Sequence, residues 1–249
     1  MTILLSNDDG IESEGLLALE RQLAELGEVY TVAPDREQNS TSHALTLHRP
    51  LRVRELGPRR IAVDGTPADC VKLALTGLLP ARPNLVVSGI NKGPNLGDDI
   101  IYSGTVSAAI EGTLLGIPSI AVSLVSFADF QFDVAAEFTL VLARRTLAAG
   151  VPADTLLNVN VPSLPKNELK GWRLTRQGKR HYREEVIERT DPRGRKYYWI
   201  GGDDLGFTSE EGTDCLAVKE GYISVTPLQV DMTDYRLLKK LQGLDLGWP

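Results

Sequence analysis

Cysteine is scarce in this chain of 249 residues: Cys70 and Cys215 are the only two. Two thiols exclude a disulfide framework, and no Cys/His spacing of a zinc site occurs. Both read as small buried hydrophobes that stay reduced, which fits a cytoplasmic compartment. Histidine is almost as sparse, and His43, His48 and His181 show neither ligand nor triad spacing. No apolar run approaches the roughly 20 residues of a spanning helix. The N-terminus has neither the basic region nor the processing site of a signal peptide. The expectation is a cytoplasmic chain with no membrane partner. Positive charge is also short, since 27 Lys and Arg face 33 Asp and Glu for a formal net charge of −6. That balance argues against a nucleic-acid partner. Internal repeats, low-complexity tracts and heptad runs are absent. The length accommodates one large domain, or a core with a substantial appendage.

What is present begins almost at the first residue. Ile3-Leu4-Leu5 is a short apolar run that ends in Ser6-Asn7-Asp8-Asp9-Gly10. The run reads as a strand, and Asp8 and Asp9 stand where it ends. In open α/β sheets ligands bind outside the carboxyl ends of strands. Two adjacent carboxylates converged by a turn at Gly10 repel unless a cation neutralises them. Oxygen donors of this kind suit Mg²⁺, Mn²⁺ or Ca²⁺. A solvated Asp-Asp-Gly turn is the competing reading of the same residues.

Leu16, Leu19, Leu23 and Leu26 recur at helical spacing within 12–26, and 29–33 follows as a second strand. A β-α-β unit implies a right-handed crossover between parallel strands. The polar loop after it, 34–42, should open on the same sheet edge as Asp8 and Asp9. Segments 44–47, 51–54 and 60–63 read as the short strands of a small antiparallel insertion. Thr66-Pro67-Ala68-Asp69 is a helix start, and 84–88 a further buried strand. The Gly- and Asn-rich stretch 89–105 is long enough to be a functional loop. Ser103, Gly104 and Thr105 stand at the entrance of a helix over 106–115, where backbone N–H groups form an anion site. Capping by Ser103 or Thr105 uses the same donors. Strand, helix and strand follow at 119–124, 132–149 and 155–161. The alternation predicts an α/β fold, a Rossmann-like doubly wound and mostly parallel sheet, complete near residue 160. Beyond it, 172–176 and 197–200 are strand-like around Asp191-Pro192-Arg193-Gly194. They predict one long β-hairpin arm that packs on another subunit. A strand at 221–227 and a terminal helix at 233–241 complete the chain. The division is therefore 1–165, a metal- and phosphate-binding core, and 166–249, an arm, returning strand and helix used in oligomerisation.

Several segments together resemble one family. Ser6-Asn7-Asp8-Asp9-Gly10, Ala33-Pro34-Asp35-Arg36, Gly65-Thr66-Pro67, Ser88-Gly89-Ile90-Asn91 and Gly93-Pro94-Asn95 stand in order. Tyr102-Ser103-Gly104-Thr105 and Tyr222-Ile223-Ser224-Val225-Thr226-Pro227-Leu228 follow. The set is similar to the SurE family, stationary-phase survival proteins and 5′-nucleotidases, over nearly the whole chain. The resemblance implies a metal-dependent phosphatase acting on nucleoside monophosphates, with 3′-nucleotides and polyphosphate as further substrates, and a homodimer or homotetramer. It implies one divalent ion per subunit on Asp8, Asp9, Asn39 and Asn91. Here Gln38-Asn39-Ser40 replaces the family's usual Arg-Ser-Gly. Asn39 is chosen over Ser40 for its carbonyl oxygen.

The chemistry expected is phosphoryl transfer by positioning and charge stabilisation. Asp8 and Asp9 would be catalytic, with Asp8 open as ligand, base or nucleophile. Asn95, Ser103, Gly104 and Thr105 would hold phosphate oxygens, with Lys92 a cation beside them. Asp98 and Asp99 read as loop-structuring residues. A haloacid-dehalogenase-like phosphatase is a rival, but its Asp-x-Asp spacing is missing. A non-catalytic nucleotide sensor on the same fold is the other.

Overall fold

In a computed structural model describing residues 1–182, 185–201 and 204–244, the opening apolar run forms strand β1 (Thr2–Ser6). Its side chains alternate between two cores. Ile3 and Leu5 pack on one face of the sheet and Leu4 on the other. The first face is covered by α1 (Glu14–Leu23) and α4 (Asp133–Ala149), through residues such as Leu16, Leu19, Leu23, Ala136 and Leu140. The second is covered by α2 (Pro67–Leu73) and α3 (Gly104–Leu114), through Cys70, Val71, Ala108 and Ala109. A strand buried on both faces reads as a continuous apolar run, which is what β1 shows.

Six parallel strands form the centre: β1, β2 (Glu28–Pro34), β4 (Arg60–Val63), β5 (Leu85–Lys92), β6 (Ser119–Val125) and β7 (Leu156–Pro162). Their spatial order is β4-β2-β1-β5-β6-β7, so the winding reverses between β1 and β5. This is the doubly wound order, with its ligand crevice at the reversal. Antiparallel β3 (Val53–Gly57) flanks β4. The other end is not closed at residue 160. β13 (Ile223–Leu228) runs antiparallel to β7, and β8 (Trp172–Leu174) runs parallel to β13. The sheet therefore has nine strands, and the returning strand belongs to it.

The arm is also arranged differently from the expectation. Trp172–Leu174 is the sheet edge, and the hairpin pairs β10 (Glu185–Thr190) with β11 (Lys196–Gly201). Asp191 closes its turn, accepting from the N–H groups of Arg193 and Arg195 at 2.8 and 2.9 Å. Below it β9 (Arg180–Tyr182) pairs with β12 (Asp204–Phe207). Part of the predicted arm, 183–184, and the final residues 245–249 lie outside the described residues. Residues 44–47 form no strand. They are held instead by Thr66, whose hydroxyl donates to Ala44 O, and by Asp69, which accepts from Thr46 N. A short helix, α5 (Asp214–Lys219), precedes β13, and α6 (Tyr235–Leu241) ends the described chain. Among the described residues no helix is long and apolar enough to cross a membrane.

Candidate metal and phosphate site

Three connections meet at the carboxyl edge of the sheet, on either side of the β1/β5 reversal. The first follows β1. Asn7 is buried, and its amide donates to Gly10 O at 3.0 Å and Ser13 Oγ at 2.6 Å, which ties back the turn carrying Asp8 and Asp9. Gly10 has φ of +96°, and a Cβ there would stand 3.2 Å from the carbonyl carbon of Arg36. The second connection follows β2, and its Gln38 N–H donates to Asp8 O at 2.7 Å. The third follows β5. Its register against β6 shifts by one residue between Ser88 and Asn91. This bulge turns Ile90 into the α1/α4 core and re-aims Asn91 toward the opposite side.

Asp8, Asn39, Asn91, Asn95 and Ser103 consequently line one cleft of about 810 Å³, with Asp9 beside it. Asp8 is almost fully buried, and Asp9 Oδ2 accepts from Lys92 N at 3.0 Å. Burial pushes the Asp8 carboxyl up to about 6; hydrogen bonds from Thr105 pull it down, and the charge of Asp9 pushes it up. Burial also raises Asp9, against the Lys92 N–H and ammonium, with Glu37 adding repulsion. Such a pair is under-neutralised by protein groups alone. The amides are turned to answer it. Asn91 Nδ2 donates to Gly93 O at 2.9 Å and Asn39 Nδ2 donates to Glu37, so both carbonyl oxygens are left as acceptors. No cluster of three or more His, Cys, Asp or Glu occurs among the described residues. The donor set is two carboxylates and two amide oxygens, all hard oxygen ligands, and it fits Mg²⁺, Mn²⁺ or Ca²⁺ better than a softer ion.

The residues expected at the phosphate stand at and before the N-terminus of α3. Ser103 Oγ accepts from Val106 N at 3.0 Å, and its hydroxyl hydrogen remains to donate into the cleft. Capping and anion binding thus use different parts of one residue. Asn95 is fixed on three sides: its N–H donates to Asn160 Oδ1 at 2.8 Å, its amide to Ser123 Oγ at 2.8 Å, and its carbonyl accepts from Asn158 and Asn160. One amide hydrogen is left for the cleft. Gly104 backs onto Asp8, where a Cβ would meet the Asp8 Cβ at 2.8 Å. Thr105 joins the two ends of the site. It is fully buried, and both its N–H (3.1 Å) and its hydroxyl donate to the Asp8 carboxylate.

Other residues had no readable signal. Tyr182 of β9 and Ile200 of β11 line the same cleft, although both are far along the chain from the sheet edge. Asp99 is the loop-structuring residue expected, and it accepts from Tyr182 OH at 2.6 Å and pairs with Arg180 at 3.0 Å. His43 Nε2 stands 2.9 Å from Glu111 Oε2, and Lys72 Nζ 2.8 Å from Glu111 Oε1. That cluster joins the second connection to α2 and α3. No spacing in the sequence announces it, since its members lie tens of residues apart.

Comparison with known proteins identifies the arrangement. The family model described as survival protein SurE matches residues 3–184. A protein of Geobacter sulfurreducens named 5′-nucleotidase SurE is 55% identical over 99% of this chain and 95% of its own length. One of the same name from Geotalea daltonii is 53% identical over 99% and 100%. The crystal structure of the SurE protein from Aquifex aeolicus is 48% identical, with a TM-score of 0.87 over 97% of this chain and 98% of that one. The similarity thus extends along nearly the full length of these proteins, and the chain belongs to the SurE family.

Proposed function

We propose that this chain is a divalent-metal-dependent phosphatase that hydrolyses nucleoside 5′-monophosphates to nucleoside and phosphate. One observation carries the reading: acidic, amide and hydroxyl groups from three connections meet in a single cleft at the reversal of a parallel sheet. The relatives named 5′-nucleotidase support the nucleotide as substrate. Asp8, Asp9 and the carbonyl oxygens of Asn39 and Asn91 would hold the ion. A divalent ion in such a site supplies positive charge against phosphate oxygens and acidifies water. The chain itself supplies orientation. Thr105 fixes the Asp8 carboxylate through two hydrogen bonds. Ser103 and Asn95 present donors whose positions are set before substrate arrives, so little reorganisation is needed as charge develops on the phosphate.

Phosphate release from nucleoside 5′-monophosphates tests this directly. Release is expected with Mg²⁺ or Mn²⁺, is lost on treatment with EDTA, and returns when the ion is restored. Asp8→Asn removes one negative ligand and should lower turnover roughly a hundredfold or more. Full activity after exhaustive chelation would overturn the metal mechanism, and no release from any nucleotide would overturn the phosphatase.

A further inference from the structure

The cleft joins buried polar groups to exposed large side chains. Asp8, Asn95 and Ser103 are its buried lining, while Tyr102, Tyr182 and Ile200 line it from the surface. These three side chains are large, and their exposure is high: 66% for Tyr102, 45% for Tyr182 and 93% for Ile200. They come from two separate segments. Tyr102 directly precedes Ser103 at the phosphate end. Tyr182 and Ile200 come from β9 and β11 of the arm. An apolar group left in the open beside a buried polar site needs an apolar partner, and aromatic rings suit the flat face of a nucleobase.

The Tyr182 ring is also held in place. Tyr182 OH donates to Asp99 Oδ2 at 2.6 Å, and the Arg180 guanidinium pairs with the same oxygen at 3.0 Å while lying 5.0 Å from the Tyr182 ring centre. Asp99 lies in the short 3₁₀ turn Gly97–Ile101 that leads into Tyr102. The same turn is joined to the base of the arm: Asp214 accepts from Gly97 N at 2.9 Å and Gly178 N at 2.8 Å, and Gln177 donates to Gly97 O at 2.8 Å. The arm base, Tyr102 and Ser103 therefore form one connected frame. A nucleotide with its phosphate at Ser103 must send its base outward along the cleft, because the lining beside Ser103 is taken up by the buried Asp8 and Asn95.

We propose that Tyr102, Tyr182 and Ile200 form a shelf that receives the nucleobase, so that the arm carries recognition of the leaving nucleoside. The inference rests on the nucleotide-phosphatase reading for its ligand, and goes beyond it by naming the residues that distinguish a nucleotide from bare phosphate.

Calorimetric titration of the full chain with a non-hydrolysable phosphonate analogue of adenosine 5′-monophosphate and with inorganic phosphate, both in Mg²⁺, tests the shelf without relying on turnover. Tyr102→Ala and Ile200→Ser should each weaken the nucleotide, by roughly tenfold for the lost stacking at Tyr102, and leave inorganic phosphate within twofold. Tyr182→Phe keeps the ring and should retain most nucleotide affinity, while Tyr182→Ala should lose it. Equal loss for nucleotide and phosphate would show that the residues only support the phosphate end and would overturn the shelf. Unchanged nucleotide affinity in Tyr102→Ala and Tyr182→Ala would overturn it as well. Failure of the phosphatase reading is a separate outcome: the nucleotide binds on the shelf, and no phosphate is released.

Discussion

Asp8 joins a stability cost to the proposed ion binding within one side chain. Its carboxyl stands at about 6, above the usual carboxylate value of 3.8, because burial outweighs the hydrogen bonds from Thr105 and Asp9 adds repulsion. Between those two values the folded chain holds a proton that the unfolded chain has released. The contribution of Asp8 to stability therefore falls as pH rises through that window, and above about 6 the ionised carboxylate is a net cost to the fold. A bound cation removes this cost only where the carboxylate is ionised. The expected outcome is that saturating Mn²⁺ raises the melting temperature more at pH 7.5 than at pH 4.5. Thermal denaturation at both pH values with and without Mn²⁺ checks it, and equal shifts would remove Asp8 from the ion. The carboxylate pair was legible in the sequence because a strand end and a glycine frame it. The direction of Thr105 was not, since Ser-Gly-Thr before a helix fits a cap, a phosphate contact and a carboxylate clamp equally.

At the scale of elements, legibility follows periodicity. The helix α1 carries leucines at helical spacing, and the strands β1, β5, β6 and β7 are apolar runs bounded by turns, so their order and burial could be read from residues alone. After residue 162 the returning strand, the turn at Asp191 and the terminal helix were legible, but the pairing of the arm was not. The strands of the arm and of the sheet edge beside it are three to six residues long and mostly exposed, and their pairing is decided by contacts distant in sequence. Trp172–Leu174 looks like one side of a hairpin because it is aromatic and alternating, yet β13 offers it an open sheet edge. The loop of Asn39 shows the same limit. Its anchor is Glu111, buried on α3 and bonded to His43 and Lys72. Burial pushes the Glu111 carboxyl up, but those two hydrogen bonds outweigh it and hold it below its usual 4.5. This depressed value means stability that is present above pH 4.5 and is lost as pH falls through the folded value. Glu111→Gln keeps the shape and removes the charge, and should cost about 1–3 kcal/mol near pH 7, less toward pH 4. Urea denaturation at the two pH values measures this. Hydrogen exchange should rise in residues 39–46 of the variant, and unchanged protection there would show that Glu111 does not hold the loop.

Over the whole molecule, the described chain leaves two elements without an apolar partner. On the arm Val186, Tyr197, Tyr198 and Trp199 are exposed, and on α6 Tyr235, Leu237, Leu238 and Leu241 are exposed. An isolated two-stranded hairpin is marginal in water, and a seven-residue helix with no buried side chain is more so. Exposed aromatic and leucine side chains on such elements are typical interface anchors. We infer that they pack between copies of the chain in a homodimer or homotetramer. The arm is then asked to do two things, since its base also reaches the cleft through Tyr182. The two roles overlap only at Ile200. Replacing 185–201 by a short Gly-rich turn removes β10 and β11, and with them Ile200, and leaves Arg180, Tyr182 and their bonds to Asp99. The variant should show a lower mass by light scattering. Its metal affinity should stay within about twofold, because Asp8, Asp9, Asn39 and Asn91 all lie in the connections of the parallel strands, and additivity holds for sites that share no partners. An unchanged mass would assign the exposed aromatic residues to something other than assembly. Loss of metal binding together with mass would show that contact between copies shapes the Asp8 cleft itself, and the carboxyl edge of one sheet would then be incomplete without its neighbour.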